Sequence, residues 1–138
     1  MNMGKLRFGH VAFRVSDVQR SVAWYQKAFN ARKIYHAAAE GDRPELMFME
    51  FAKGQFIEFF TGGRIKAQQS SDTMGYLHFC LIVDDLDQAL RHLDTLGVHP
   101  NRGPFIGRAR QPIAFIADPD GNIIELMQIP RESPLYRE

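Results

Sequence analysis

The sequence predicts an α+β fold built from two copies of one βαβββ module. Three observations carry that expectation. First, Gly9-His10-Val11-Ala12-Phe13-Arg14-Val15-Ser16-Asp17 lies over Leu77-His78-Phe79-Cys80-Leu81-Ile82-Val83-Asp84-Asp85, aligning His10 with His78, Val15 with Val83 and Asp17 with Asp85 at an offset of 68 residues. Second, Gly54 with Gly121, Glu58 with Glu125 and Phe48 with Phe115 repeat at an offset of 67. Third, short β-branched and aromatic runs flank one helical stripe in each half, with turn residues between them. Two anchors that agree to within one residue define modules at about residues 6–62 and 75–129 of a single 138-residue domain.

The elements follow in order. A strand is expected over Leu6 to Val15. A helix follows, with Ser16 or Asp17 as N-cap and Gln19 at capping-box spacing from Ser16. Its buried stripe is Val18, Val22, Tyr25 and Phe29, and Trp24 falls off that stripe. A weaker strand near Arg32 to Ala38 precedes a hairpin in which Leu46 to Phe51 and Gln55 to Thr61 flank Ala52-Lys53-Gly54. The segment Gly62 to Gly75 reads as a linker or lid. The second copy opens with a strand over Tyr76 to Val83 and a helix capped by Asp84 or Asp85. Leu86, Ala89, Leu90 and Leu93 form its stripe, and Gly97 ends it. A weaker strand near Val98 to Phe105 follows. Pro112 to Ala117 and Asn122 to Ile129 then flank the turn Asp118-Pro119-Asp120-Gly121.

Composition excludes several function classes. A chain that is 45% hydrophobic and 24% charged can bury a real core. A formal charge of +1 offers no electrostatic reason to expect nucleic acid or an anionic membrane as partner. No apolar run is longer than Phe79 to Val83, far short of a membrane span. One cysteine, Cys80, makes no internal disulfide, and no export signal opens the chain, so a cytoplasmic setting is expected.

The repeat's anchors are the residues capable of chemistry. His10 and His78 sit among apolar neighbours, as do Glu58 and Glu125. A carboxylate inside an apolar strand is costly to bury unless it is paired or bound to a metal, and here it occurs at two matching positions. Two imidazoles and two carboxylates suit one divalent Zn, Ni, Co, Fe or Mn ion per site rather than Ca or Mg. Strand alternation adds the surroundings: Ala12 and Arg14 with His10, Phe56 and Phe60 with Glu58, Cys80 and Ile82 with His78, Ile123 and Met127 with Glu125. Arg14, Phe56, Phe60, Cys80 and Met127 are therefore the candidate substrate contacts. His36, His92 and His99 are expected at the surface. Arg102, Arg108 and Arg110 are expected in a solvated loop, with an anion clamp as their alternative use.

The runs His10-x-x-x-Arg14-Val15-x-Asp17 and Asp118-Pro119-Asp120-Gly121-Asn122-x-x-Glu125-Leu126 resemble the vicinal oxygen chelate superfamily, the group of glyoxalase I, extradiol dioxygenases, methylmalonyl-CoA epimerase and the fosfomycin and bleomycin resistance proteins. The resemblance covers about Leu6 to Ile129. It implies an open barrel-like sheet around a metal site and a homodimer. His, Glu, His and Glu in chain order is similar to bacterial glyoxalase I (lactoylglutathione lyase). That likeness implies His10, Glu58, His78 and Glu125 as ligands, Glu125 or Glu58 as the proton-transferring base, and Arg14 as a contact for a thiol-adduct substrate. Where glyoxalase I carries an asparagine four residues past the first ligand Glu, this chain has Gly62, so the small substrate stays open. An extradiol dioxygenase, a CoA-ester epimerase and a non-enzymatic antibiotic-binding protein are the alternatives.

Overall fold

The computed structural model describes residues 3–138. The chain divides into two compact units, residues 1–65 and 66–138. Each holds a four-stranded sheet with one helix, so the fold is α+β with two repeated βαβββ modules.

The first unit runs β1 (His10–Arg14), α1 (Val18–Phe29), β2 (Arg32–Ala37), β3 (Leu46–Ala52) and β4 (Gln55–Phe60). Its sheet order is β1-β4-β3-β2, with β1 parallel to β4 and the other neighbours antiparallel. Helix α1 covers one face. Val18, Val22, Tyr25 and Ala28 from the helix are buried with Phe13, Met47, Met49, Ile57 and Phe59 from the strands and with Val15 just after β1. Full burial of each large side chain contributes roughly 1.5–3 kcal/mol. The Tyr25 ring lies 5.0 Å from Phe59 and 6.1 Å from Phe51, which seats the helix on β3 and β4. Phe29 is only partly buried, and Ser21 and Ala28 take the stripe positions beside Tyr25. Trp24 packs edge-on against Tyr25 and Phe29.

The second unit repeats the plan with β5 (Phe79–Ile82), α2 (Leu86–Thr95), β6 (Arg102–Ile106), β7 (Pro112–Ala117) and β8 (Ile123–Met127), in the order β5-β8-β7-β6. Leu86 and Leu93 from α2 are buried with Ile113, Ala114, Ile116, Ile124 and Leu126. The glycines that anchor the repeat, Gly54 and Gly121, have φ of 78° and 86° in the two hairpin turns. Glycine reaches that left-handed region without steric cost. Among the described residues, no helix is long and apolar enough to cross a membrane.

Several local expectations are corrected. Strand β1 starts at His10, not Leu6, because its pairing with β4 starts at His10 opposite Phe56, and Leu6 and Phe8 are left exposed. Strand β5 starts at Phe79, so His78 stands just outside it. Strand β6 starts at Arg102, where pairing with Phe115 begins, rather than near Val98. The N-caps are Asp17 and Asp85, whose carboxylates accept from the N–H groups of Arg20 and Gln88. A Ser16–Gln19 capping box is therefore not what starts α1.

Candidate metal centre and active site

In the first unit, alternation along β4 turns Ile57 and Phe59 into the helix-side core and Glu58 to the opposite face. Registry brings Ala12 of β1 and Phe48 of β3 beside Glu58. Ala12 carries only a methyl group, so the imidazole of His10, two residues earlier, reaches across to the carboxylate. His10 Nε2 lies 3.1 Å from Glu58 Oε2. The ring stands edge-on to Phe48, with centroids 5.3 Å apart. Glu58 is 8% exposed, and the His10 side chain is 44% exposed.

The second unit presents the same constellation. Cys80 and Phe115 flank Glu125 in the register. His78 Nε2 lies 2.8 Å from Glu125 Oε2, and its ring meets Phe115 edge-on at 5.3 Å. Cys80 takes the place of Ala12, another small side chain next to the carboxylate. Burial, and then the charge of Glu125, push its thiol up to about 12. The thiol therefore holds its proton at neutral pH, which disfavours a nucleophilic role.

Each pair suits a metal on donor chemistry and spacing. Two neighbouring ligands on bonds of roughly 2.1 Å, held near a right angle, stand about 3 Å apart. Among the described residues, no group of three or more His, Cys, Asp or Glu side chains is assembled for an ion. What each unit supplies is one imidazole–carboxylate pair.

Around the pairs, the register puts Arg14 and Phe60 next to each other at the end of β1 and β4, and Phe56 opposite His10. Arg14 Nη1 donates to the Thr61 carbonyl at 3.1 Å, which orients the guanidinium at that edge. Met127 lies opposite Ile82 and Ile113. Arg102 is exposed, as expected, but lies on a strand rather than in a loop. It opens β6, and its guanidinium lies 5.0 Å from the Phe105 centroid and 5.5 Å from that of Phe115. Arg108 and Arg110 are exposed in the turn after β6, as expected. His36 and His99 are exposed and pair with Glu45 and Asp94, and His92 is exposed.

Glu50 is a buried carboxylate that sequence reasoning missed. Glu50 on β3 is 7% exposed and accepts from Gly54 N–H at 2.9 Å and from Arg32. The Gly54 bond and Arg32 hold its carboxyl below the usual range. Its signal was the one that exposed Glu58, an acid within an apolar run. Having Ala117 at the equivalent place in the second module hid it from a search built on the repeat.

Residues 7–126 match the model of the glyoxalase/bleomycin resistance protein/dioxygenase superfamily. The chain belongs to that superfamily. Among its curated members, a lactoylglutathione lyase of Pseudomonas aeruginosa is 28% identical over 145 residues, covering 88% of this chain and 81% of that protein. The metallothiol transferase FosB of Bacillus licheniformis is 26% identical over 121 residues, covering 88% and 74%. The chain spans only 45% of a putative lactoylglutathione lyase from Brassica oleracea var. gemmifera, at 28% identity over 90% of itself. The superfamily fold recurs in a mutant form of the fosfomycin resistance protein FosX from Listeria monocytogenes, solved with Mn(II) and 1S,2S-dihydroxypropylphosphonic acid. There the TM-score is 0.75 at 21% identity, covering 99% of this chain and all of that one. A glyoxalase family protein from Enterococcus faecalis superposes with a TM-score of 0.76 at 19% identity, over 88% and 96%.

Proposed function

We propose that this chain is a metal-dependent, glyoxalase I-like lyase that isomerises a hemithioacetal or a similar small oxygenated substrate. The observation that carries the reading is the recurrence, in both modules, of a histidine paired to a mostly buried glutamate and braced edge-on by a phenylalanine. His10, Glu58, His78 and Glu125 are the proposed ligands of a Zn, Ni, Co, Fe or Mn ion. Bound there, the ion supplies Lewis-acid polarisation of a substrate oxygen.

The chain's own residues do the rest. Glu125 or Glu58 accepts the proton from the carbon next to the polarised carbonyl and returns it to the neighbouring carbon, so the reaction is an isomerisation with no net change in atoms. Phe56 and Phe60 in one unit, and Cys80 and Met127 in the other, are the proposed apolar contacts of the substrate. Arg14, fixed by the Thr61 carbonyl, offers a cation to the charged part of the substrate. The setting we propose is a cytoplasmic homodimer. Reconstitution with Ni or Zn, followed by assay of methylglyoxal with glutathione and other thiols, tests this reading. Turnover with one thiol is expected, and no turnover with any thiol in metal-loaded protein would remove it.

A second reading is favoured by the similarity to FosB and by Arg102. That guanidinium meets aromatic rings but no carboxylate among the described residues, which leaves it able to take an anion. In this reading a thiol adds to a small phosphonate epoxide. The same metal-loaded protein assayed with fosfomycin and a thiol separates the two.

A further inference from the structure

The two modules hold their histidines differently. In the first, the β1–β4 ladder includes His10 itself, and Phe56 N–H donates to the Gly9 carbonyl one residue earlier. In the second, the β5–β8 ladder begins at Phe79 opposite Ile124, one residue after His78. At that point a side chain joins the two strands. The Tyr76 hydroxyl accepts from Phe79 N–H at 3.0 Å and donates to the Ile123 carbonyl at 3.1 Å. The repeat-equivalent residue in the first module is Phe8, which has no hydroxyl and is 80% exposed.

We propose that Tyr76 is a positioning residue for His78: its hydroxyl bridges β5 to β8 where the ladder has not yet begun, and so holds the imidazole against Glu125. The proposal rests on the reading of His78 as a metal ligand only for its effect on metal affinity; the tether itself is independent of that reading. His78 lies between the two anchor points of the tether, with Tyr76 two residues before it and Phe79 one after. Ile123 lies two residues before Glu125 on β8. The tyrosine thus ties the histidine's backbone to the strand that carries its partner. A phenol hydroxyl carries one proton to donate and lone pairs to accept with, so it can make both bonds at once. Gln69 Nε2 donates to the Tyr76 carbonyl, linking the inter-module loop to the same tether. Supports of this kind around metal-ligating histidines affect affinity by roughly 10–100-fold when removed.

The test compares wild type, Tyr76→Phe and, as the control from the other module, Phe8→Ala. In metal-free protein, amide exchange at Phe79 and the imidazole NMR signals of His78 and His10 are recorded. Tyr76→Phe is expected to speed exchange at Phe79 and shift His78 while leaving His10 in place. In Ni titrations it is expected to weaken affinity about 10-fold, whereas Phe8→Ala leaves affinity unchanged. Unchanged Phe79 exchange and His78 signals in Tyr76→Phe would overturn the proposal, and wild-type Ni affinity in a variant whose His78 signals have shifted would overturn its effect on the metal. Wild-type protein that binds no Ni defeats the metal reading instead, and the exchange and imidazole measurements then decide the tether alone.

Discussion

Glu58 and Glu125 each give up water for one histidine, one aromatic edge and a small neighbour, an environment that an unpaired carboxylate would find costly. Their necessity is directly measurable. Glu58→Gln and Glu125→Gln should each weaken Zn binding by more than the roughly 10–100-fold that removal of a supporting residue costs, because a donor atom itself is replaced. Equal affinity in either variant would show that its glutamate is not a ligand. Cys80 makes a second prediction at this scale. Its thiol is raised from 9.0 to about 12 in the fold. The unfolded chain therefore releases that proton at lower pH than the folded one. The stabilisation is fully present below about pH 9 and is lost as pH climbs toward 12, and Tyr76, raised from 10.0 to about 12, acts in the same direction. Iodoacetamide should accordingly modify native Cys80 far more slowly at pH 8 than urea-unfolded Cys80. Equal rates would contradict the half-buried, charge-flanked environment. At this scale His10, Glu58, His78 and Glu125 could be found from sequence because they recur. Glu50 carries the same local signal, but with Ala117 at the equivalent place it does not recur.

The elements show how much of the local structure was already written in the chain. Pro112–Ala117 forms β7 over the range its apolar run predicts, and Leu46 and Gln55 open β3 and β4 as expected. Strand starts that depend on a partner shifted instead. Leu6 to Gly9 have the composition of a strand, yet β1 begins only where β4 pairs with it. The helix caps make a test at this scale. Asp17→Ala and Asp85→Ala should each lower stability by about 1 kcal/mol in chemical denaturation, while Ser16→Ala should change it little. A loss from Ser16→Ala as large as that from Asp17→Ala would restore the capping box. The equivalence of Asp17 and Asp85 under the repeat could have chosen between adjacent candidates, since Ser16 aligns with Asp84 and only the second position is Asp in both copies.

For the whole molecule, the two units carry equal donor sets: one imidazole and one carboxylate on the sheet face away from the helix. If a pair from each kind of module shares an ion, metal analysis of reconstituted protein should give one ion per chain, and light scattering should give twice the chain mass of 15.8 kDa. Two ions per chain would mean that each pair binds alone. A monomeric mass with full metal content would remove the homodimer.

By itself, the sequence determined the module, its duplication and the four residues that recur within it, because periodicity and turn chemistry are local properties that survive in a one-dimensional string. Strand alternation, also local, grouped the residues that share a face with His10, Glu58 and Glu125, while His78 falls just outside its strand. Only the tertiary structure decided that His10 meets Glu58 and His78 meets Glu125, because those contacts pass through parallel pairings between strands more than 40 residues apart in the chain. It also decided that Arg102 stacks on Phe115 and that Tyr76 bridges two strands just outside their ladder. Such contacts are set by where backbones cross, and no spacing along the chain encodes a crossing.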